Sequence, residues 1–202
     1  MVTTIQDEVR EIKKYATTEN VPIMQDDGIS FLTTFIIKNK IQTVLEIGTA
    51  IGYSAIMMAL ANPSLKIVSI ERDEKRYLEA VKNIKKLQLE DRITLIFKDA
   101  LDVKLDDKFD LIFIDAAKSQ SIHFFEQFEK NLNDNGYIIT DNLNFHGFVN
   151  KKEEEIKSRN LRALVRKIKD YKVYLQENKR YNTEFFEIGD GISLSKKINI
   201  EQ

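Results

Sequence analysis

The sequence predicts an α/β protein: a mostly parallel β-sheet covered by helices on both faces and finished by an antiparallel hairpin. Three observations carry this reading. From Thr43 onward, short β-branched runs bounded by turn residues alternate with longer amphipathic stretches, the pattern of successive βα units. Several of those runs end in glycine or acidic residues, where an open sheet gathers its ligands. The 202 residues suffice for one sizeable core and are short for two. Residues 1–202 therefore read as one domain, with N-terminal helices over 1–40 packing on a core over 41–202.

The first segment places Ile5, Val9, Ile12 and Ala16 on one helical face, and Ile29, Leu32, Phe35 and Ile36 form a second such stripe ending before Lys40. Strands are expected at TVLEI (43–47), KIVSI (66–70), RITLIF (92–97), FDLIFI (109–114) and GYIIT (136–140). Between them, Tyr77, Leu78, Val81, Ile84 and Leu87 make one helix stripe, and Phe124, Phe125 and Phe128 another. A charged helix from about Lys151 to Tyr171 follows, then KVYLQ, TEFFEI and GISLS. The turn Gly189-Asp190-Gly191 joins the last two as an antiparallel hairpin.

Composition excludes several classes of chemistry. There is no cysteine, which removes disulfides, thiolate nucleophiles and cysteine-held metals. No apolar run reaches the ~18 residues of a membrane span, and the polar N-terminus lacks the apolar core of a secretory signal, so a cytoplasmic protein without membrane partners is expected. A net charge of −1 gives no overall attraction to nucleic acid.

The first strand runs into EIGTAIGYS, which places Glu46, Gly48, Gly52 and Ser54 where a strand becomes a helix. Glycines there let a ligand approach the backbone, although a tight structural turn would use the same residues. The spacing Gly-x-x-x-Gly lacks the third glycine of a dinucleotide fingerprint, which disfavours an NAD-linked oxidoreductase. Glu71, ending the second strand, is placed to accept both hydroxyls of a ribose. Asp99, beside Ala100 after the third, is placed either to meet an adenine amino group or to cap the next turn.

The fourth and fifth strands end on Asp115 and on Asp141-Asn142. Either aspartate alone reads as a helix cap. The three together, if their strands are neighbours, make an oxygen cluster suited to a hard divalent cation such as Mg²⁺, with coordination positions left for substrate. Lys118, three residues beyond Asp115, becomes a candidate proton acceptor; without Asp115 beside it, it would read as one of many solvated basic residues.

The motifs VLEIGTAIGYS, IVSIERD, FIDAAK, TDN and IGDGISLS resemble the catechol O-methyltransferase-like family over nearly the whole chain. Among its small bacterial members, the tail and the helix near Lys151 look most like tRNA 5-hydroxyuridine methyltransferases. The resemblance implies a class I methyltransferase, Rossmann-like sheet of seven strands. It implies S-adenosylmethionine held around Met24, Glu46, Gly48, Ser54, Glu71, Asp99, Ala100 and Asp115, a metal on Asp115, Asp141 and Asn142, and Lys118 as general base. It further implies a homodimer and, through the subgroup, action on the tRNA wobble uridine in the anticodon region.

The acceptor itself stays open at this level. A catechol and 5-hydroxyuridine both offer vicinal oxygens, but the chain has no tryptophan to supply the gate of animal catechol enzymes. Phe145, His146 and Phe148 could stack on an acceptor ring or simply pack a lid. Neither His146 nor His123 is read as a ligand, since the oxygen trio already satisfies a metal. Arg159, Arg162, Arg166 and Lys169 form a basic helical face that would suit RNA or merely be solvated. A non-catalytic nucleotide-binding module is the remaining alternative, against which the oxygen trio with Lys118 argues.

Overall fold

The computed structural model describes residues 4–198; residues 1–3 and 199–202, the two ends of the expected domain, lie outside the described residues. The sheet contains β1 (Thr43–Ile47), β2 (Lys66–Glu71), β3 (Ile93–Phe97), β4 (Phe109–Ile114), β5 (Leu132–Thr140), β6 (Tyr181–Phe186) and β7 (Ile192–Lys197), in the order β3-β2-β1-β4-β5-β7-β6. The first five strands pair in parallel, and β7 runs antiparallel between β5 and β6. This is the arrangement the resemblance implies. Strand order reverses between β1 and β4, which opens a crevice beyond their carboxyl ends.

Helices α1 (Ile5–Thr18), α2 (Asp26–Lys38), α3 (Tyr53–Ala61), α4 (Glu74–Lys86), α5 (Ser121–Phe128) and α6 (Arg159–Glu177) complete the fold. Because successive strand residues point to opposite faces, Val44, Leu111 and Phe113 join one core with Leu32, Ile36 and Ile56, while Leu45, Ile112 and Ile114 join a second with Phe125, Phe128 and Ile168. The helices of the 1–40 segment contribute Ile12, Ala16, Leu32 and Ile36 to the first core itself. A buried contact of 2.8 Å between the hydroxyls of Thr140 and Tyr171 ties the end of β5 to α6. Among the described residues, no helix is long and apolar enough to cross a membrane.

Three expectations need correction. The long helix starts at Arg159, capped by the Ser158 hydroxyl, and residues 153–155 before it form only a 3₁₀ turn. KVYLQ is its last turns rather than a separate element: Val165, Ile168, Tyr171 and Leu175 carry one buried stripe straight through that segment, and the helical period overrides its local alternation. On α4, the buried positions are Ala80, Asn83 and Ile84, whereas Leu78 and Val81 face solvent. The helix is turned by two contacts: Ala80 lies against Gly52, and the Asn83 side chain donates to the Ile51 carbonyl at 3.0 Å.

The orientation of α4 has a measurable consequence. Ile84→Ala is expected to destabilise the protein by about 2–5 kcal/mol through a lost core contact and a cavity. Leu78→Ala should stay within about 0.5 kcal/mol. Urea denaturation of both variants checks this, and equal losses would mean the stripe assumed from sequence is the buried one.

Candidate active site

The site is assembled by one close approach of backbone. Gly48 follows β1 with φ of +98°, and a Cβ there would stand 2.3 Å from the carbonyl oxygen of Asp115. Only glycine tolerates both the dihedral and the contact. The ladder then continues past the strand ends: Asp115 N–H donates to the Ile47 carbonyl at 2.9 Å, and Asp141 N–H to the Ile114 carbonyl at 3.2 Å. The glycine loop, Asp115 and Asp141 are thereby fixed side by side at one edge of the sheet.

A cavity of about 490 Å³ opens there, lined by Met24, Gly48, Glu71, Asp99, Ala100, Asp115, Lys118, Asp141 and Asn142, all of them expected site residues. Glu46 and Ser54 are not among its lining residues. The Glu46 carboxylate is fully buried beneath the loop, where Ser54 Oγ donates to it at 2.5 Å and Ser69 Oγ also donates. Ser69 in turn contacts Thr49 Oγ1 at 2.6 Å. Burial pushes the Glu46 carboxyl up to about 8, since the two serine hydroxyls only partly offset the loss of water.

Glu71 and Asp99 face the cavity while also bracing it. Glu71 accepts from the Ala50 amide at 2.7 Å and from the amides of Arg72 and Asp73 at 2.9 and 2.8 Å. Asp99 caps the following turn through the Leu101 amide at 3.0 Å and pairs with Arg72 at 3.0 Å. These bonds, the backbone one first, hold its carboxyl below the ordinary range. Arg72, Arg76 and Lys98 make this end of the cavity cationic, a feature the sequence reading did not include.

The other end is acidic. Lys118, buried, donates to Asp115 Oδ1 at 2.9 Å. Asp141 is pushed up to about 7, chiefly by burial and then by the negative charge of Asp115. Asn142 takes a left-handed φ of +70°, and its buried Oδ1 has no hydrogen-bond partner. Among the described residues no three His, Cys, Asp or Glu side chains gather as a metal cage. The donor set here is instead two carboxylates and an amide oxygen, one of them orphaned and the others crowded, and this suits a hard divalent cation.

Phe145 and His146 also line the cavity, both at left-handed φ (+45° and +54°), a conformation costing roughly 1–2 kcal/mol for each such residue. Phe148 does not line it; it packs toward the core beneath the Lys151 ammonium, 4.5 Å from the ring centroid. Asp190, read from sequence only as part of a turn, enters the cavity wall from the β6–β7 hairpin. The signal available was an acid held between two glycines. The basic face of α6 is partly consumed within the chain: Arg162 donates to the carbonyls of Ile156 and Lys157, and Arg166 pairs with Glu153.

The buried Glu46 yields a pH prediction. Its carboxyl titrates near 4.5 when unfolded and about 8 when folded, so the folded state holds the proton more tightly. The stabilisation from this group is complete below 4.5 and disappears as pH rises through 8. Thermal midpoints between those limits should fall more steeply for the wild type than for Glu46→Gln. Parallel curves would show that Glu46 is ionised in the fold.

Comparison with known proteins identifies the family. A family model described as O-methyltransferase matches residues 3–198. The caffeoyl-CoA O-methyltransferase of Populus kitakamiensis is 30% identical over 201 residues, spanning 95% of this chain and 85% of that protein. The crystal structure of a Staphylococcus aureus protein, described as a candidate caffeoyl-CoA O-methyltransferase, superposes with a TM-score of 0.89 at 36% identity, covering 94% of this chain and 92% of the other. An O-methyltransferase from Bacillus cereus, solved with S-adenosylhomocysteine, gives 0.82 at 24% identity over 98% and 94%, a likeness of fold. With the family model matched almost from end to end, the chain belongs to the O-methyltransferase family.

Proposed function

We propose that the protein is an S-adenosylmethionine-dependent O-methyltransferase that needs a divalent cation and acts on small phenolic acceptors with vicinal oxygens. One observation carries the reading: Asp115, Asp141 and the orphaned Asn142 Oδ1 meet in the same cavity as the Gly48 loop. Asp115, Asp141 and Asn142 would hold the cation, which supplies Lewis acidity toward a bound hydroxyl and a fixed point for its neighbouring oxygen. The sulfonium cofactor supplies the electrophilic methyl group, and Met24, Gly48, Glu71, Asp99 and Ala100 line its end of the cavity.

The chain's own contribution is positioning and proton handling. Gly48 and Asp115, locked together, set the distance between the cofactor end and the acceptor end. Lys118 Nζ, held by Asp115 at 2.9 Å and screened from bulk water, is the group assigned to take the acceptor proton. Phe145, His146 and Leu164 offer a ring-sized wall. The named acceptor of the Populus relative is a phenolic thioester, which supports the same class. Methylation of 5-hydroxyuridine at the tRNA wobble position ranks second, because two of the four cations on the α6 face are already engaged internally. A homodimer working in the cytoplasm belongs to the same proposal.

Labelled methyl transfer from S-adenosylmethionine tests it, with 3,4-dihydroxycinnamate and tRNA bearing 5-hydroxyuridine as parallel acceptors, with and without chelator. Chelator-sensitive labelling of the phenol is expected; labelling of tRNA alone would replace the acceptor class, and transfer insensitive to chelator would remove the cation. Lys118→Ala should lower kcat by about 10²-fold or more with little change in the cofactor's KM. An unchanged kcat would remove Lys118 as the base.

A further inference from the structure

The turn between β6 and β7 does more than join two strands. Asp190 lies buried at its centre, and its Oδ1 accepts from the His146 amide at 2.6 Å. Its other carboxylate oxygen stands 3.4 Å from His146 Nδ1, and its carbonyl accepts from the Asn144 amide at 2.7 Å. The Gly191 carbonyl takes the Leu143 amide at 2.9 Å. A Cβ at Gly191 would strike Asn144 at 2.7 Å, so the turn and the loop after β5 are in direct contact. On its far side the turn is tied to α2, where Gly189 N–H donates to Asp27 Oδ2 at 3.1 Å, just beyond the cavity-lining segment that carries Met24 and Gln25.

Phe145 and His146 both hold left-handed backbone, which is uncommon for a bulky residue such as Phe145, and their ring centroids stand 5.4 Å apart at the acceptor end. Within the loop the Phe148 amide donates to the Phe145 carbonyl at 3.0 Å, and from outside it the Asp190 carboxylate holds the His146 amide. We infer that Asp190 is a positioning residue for acceptor binding: it clamps the Phe145-His146 wall in place and so sets which ring the enzyme accepts, without touching the cofactor. The inference rests on the proposed reading, in which this end of the cavity receives a vicinal-oxygen phenol. It makes the C-terminal hairpin, far away in sequence, part of the specificity apparatus. It also explains why an acid sits between two glycines there, since Gly191 gives room for Asn144 and Asp190 supplies the hold.

The test compares wild type, Asp190→Ala and Asp190→Asn, the last retaining an oxygen for the His146 amide. Binding of 3,4-dihydroxybenzoate in the presence of S-adenosylhomocysteine and Mg²⁺ is read by calorimetry, beside binding of S-adenosylhomocysteine alone and hydrogen exchange at the His146 amide. Asp190→Ala is expected to weaken the catechol at least tenfold and speed exchange at His146 at least tenfold, with the S-adenosylhomocysteine Kd within twofold of wild type; Asp190→Asn should lie within about threefold of wild type throughout. Catechol binding unchanged in Asp190→Ala overturns the role of Asp190, as does equal loss of catechol and S-adenosylhomocysteine affinity. If Asp190→Ala does not fold, Asp190→Ser takes its place under the same criteria. Wild-type protein that binds S-adenosylhomocysteine but no catechol would sink the acceptor reading first, before any variant is compared, and the inference with it.

Discussion

The site depends on the contact between Gly48 and the backbone of Asp115. A single methyl group at residue 48 would enter the Asp115 carbonyl, so the loop that faces the cofactor end and the strand that faces the acceptor end can be this close only with glycine there. The consequence is geometric. Methyl transfer needs donor sulfur, carbon and acceptor oxygen in line, and a small error in their separation is costly. Placing the two binding ends on adjacent central strands of a rigid sheet, rather than on separate loops, removes most of that error before any ligand arrives.

The same closeness creates an electrostatic difficulty. Asp115, Asp141 and Asp190 crowd one end of the cavity with Lys118 as the nearby ammonium, and Glu46 lies buried behind them. Carboxylates removed from water and set beside one another resist ionisation, which is why Asp141 and Glu46 both rise well above the usual range. The two respond differently. Glu46 is enclosed by Ser54 and Ser69 and keeps its proton as a structural post under the glycine loop. Asp141 lines the cavity, where its carboxyl faces those of Asp115 and Asp190.

Much of this was legible in the sequence because strand ends announce themselves. β-branched runs that stop at Asp115, at Asp141-Asn142 and at Gly48 fix both the elements and the sheet edge at which they emerge. What was not legible depends on contacts between distant segments. Leu78 looks like core by period alone, and the packing of Ala80 on Gly52 with the Asn83 bond to Ile51 turns it outward. KVYLQ alternates like a strand, yet the stripe from Val165 to Leu175 holds it in α6. Asp190 lies 44 residues beyond the His146 it holds, and Arg162 and Arg166 look like a free basic face until the turn before α6 folds back on them.

The net charge of −1 conceals how strongly the cavity is polarised. At the end where Glu71 and Asp99 stand, Arg72, Arg76 and Lys98 outnumber them, and each carboxylate is further satisfied by backbone amides. At the other end the acids outnumber their cations, and one amide oxygen has no partner. A divalent ion on Asp115, Asp141 and Asn142, as proposed, would offset the excess of acids at that end. Under the proposed reading, each charged group that enters this end changes the field the next one meets, which is a reason for cofactor, cation and acceptor to bind as an interdependent set rather than as three independent ligands.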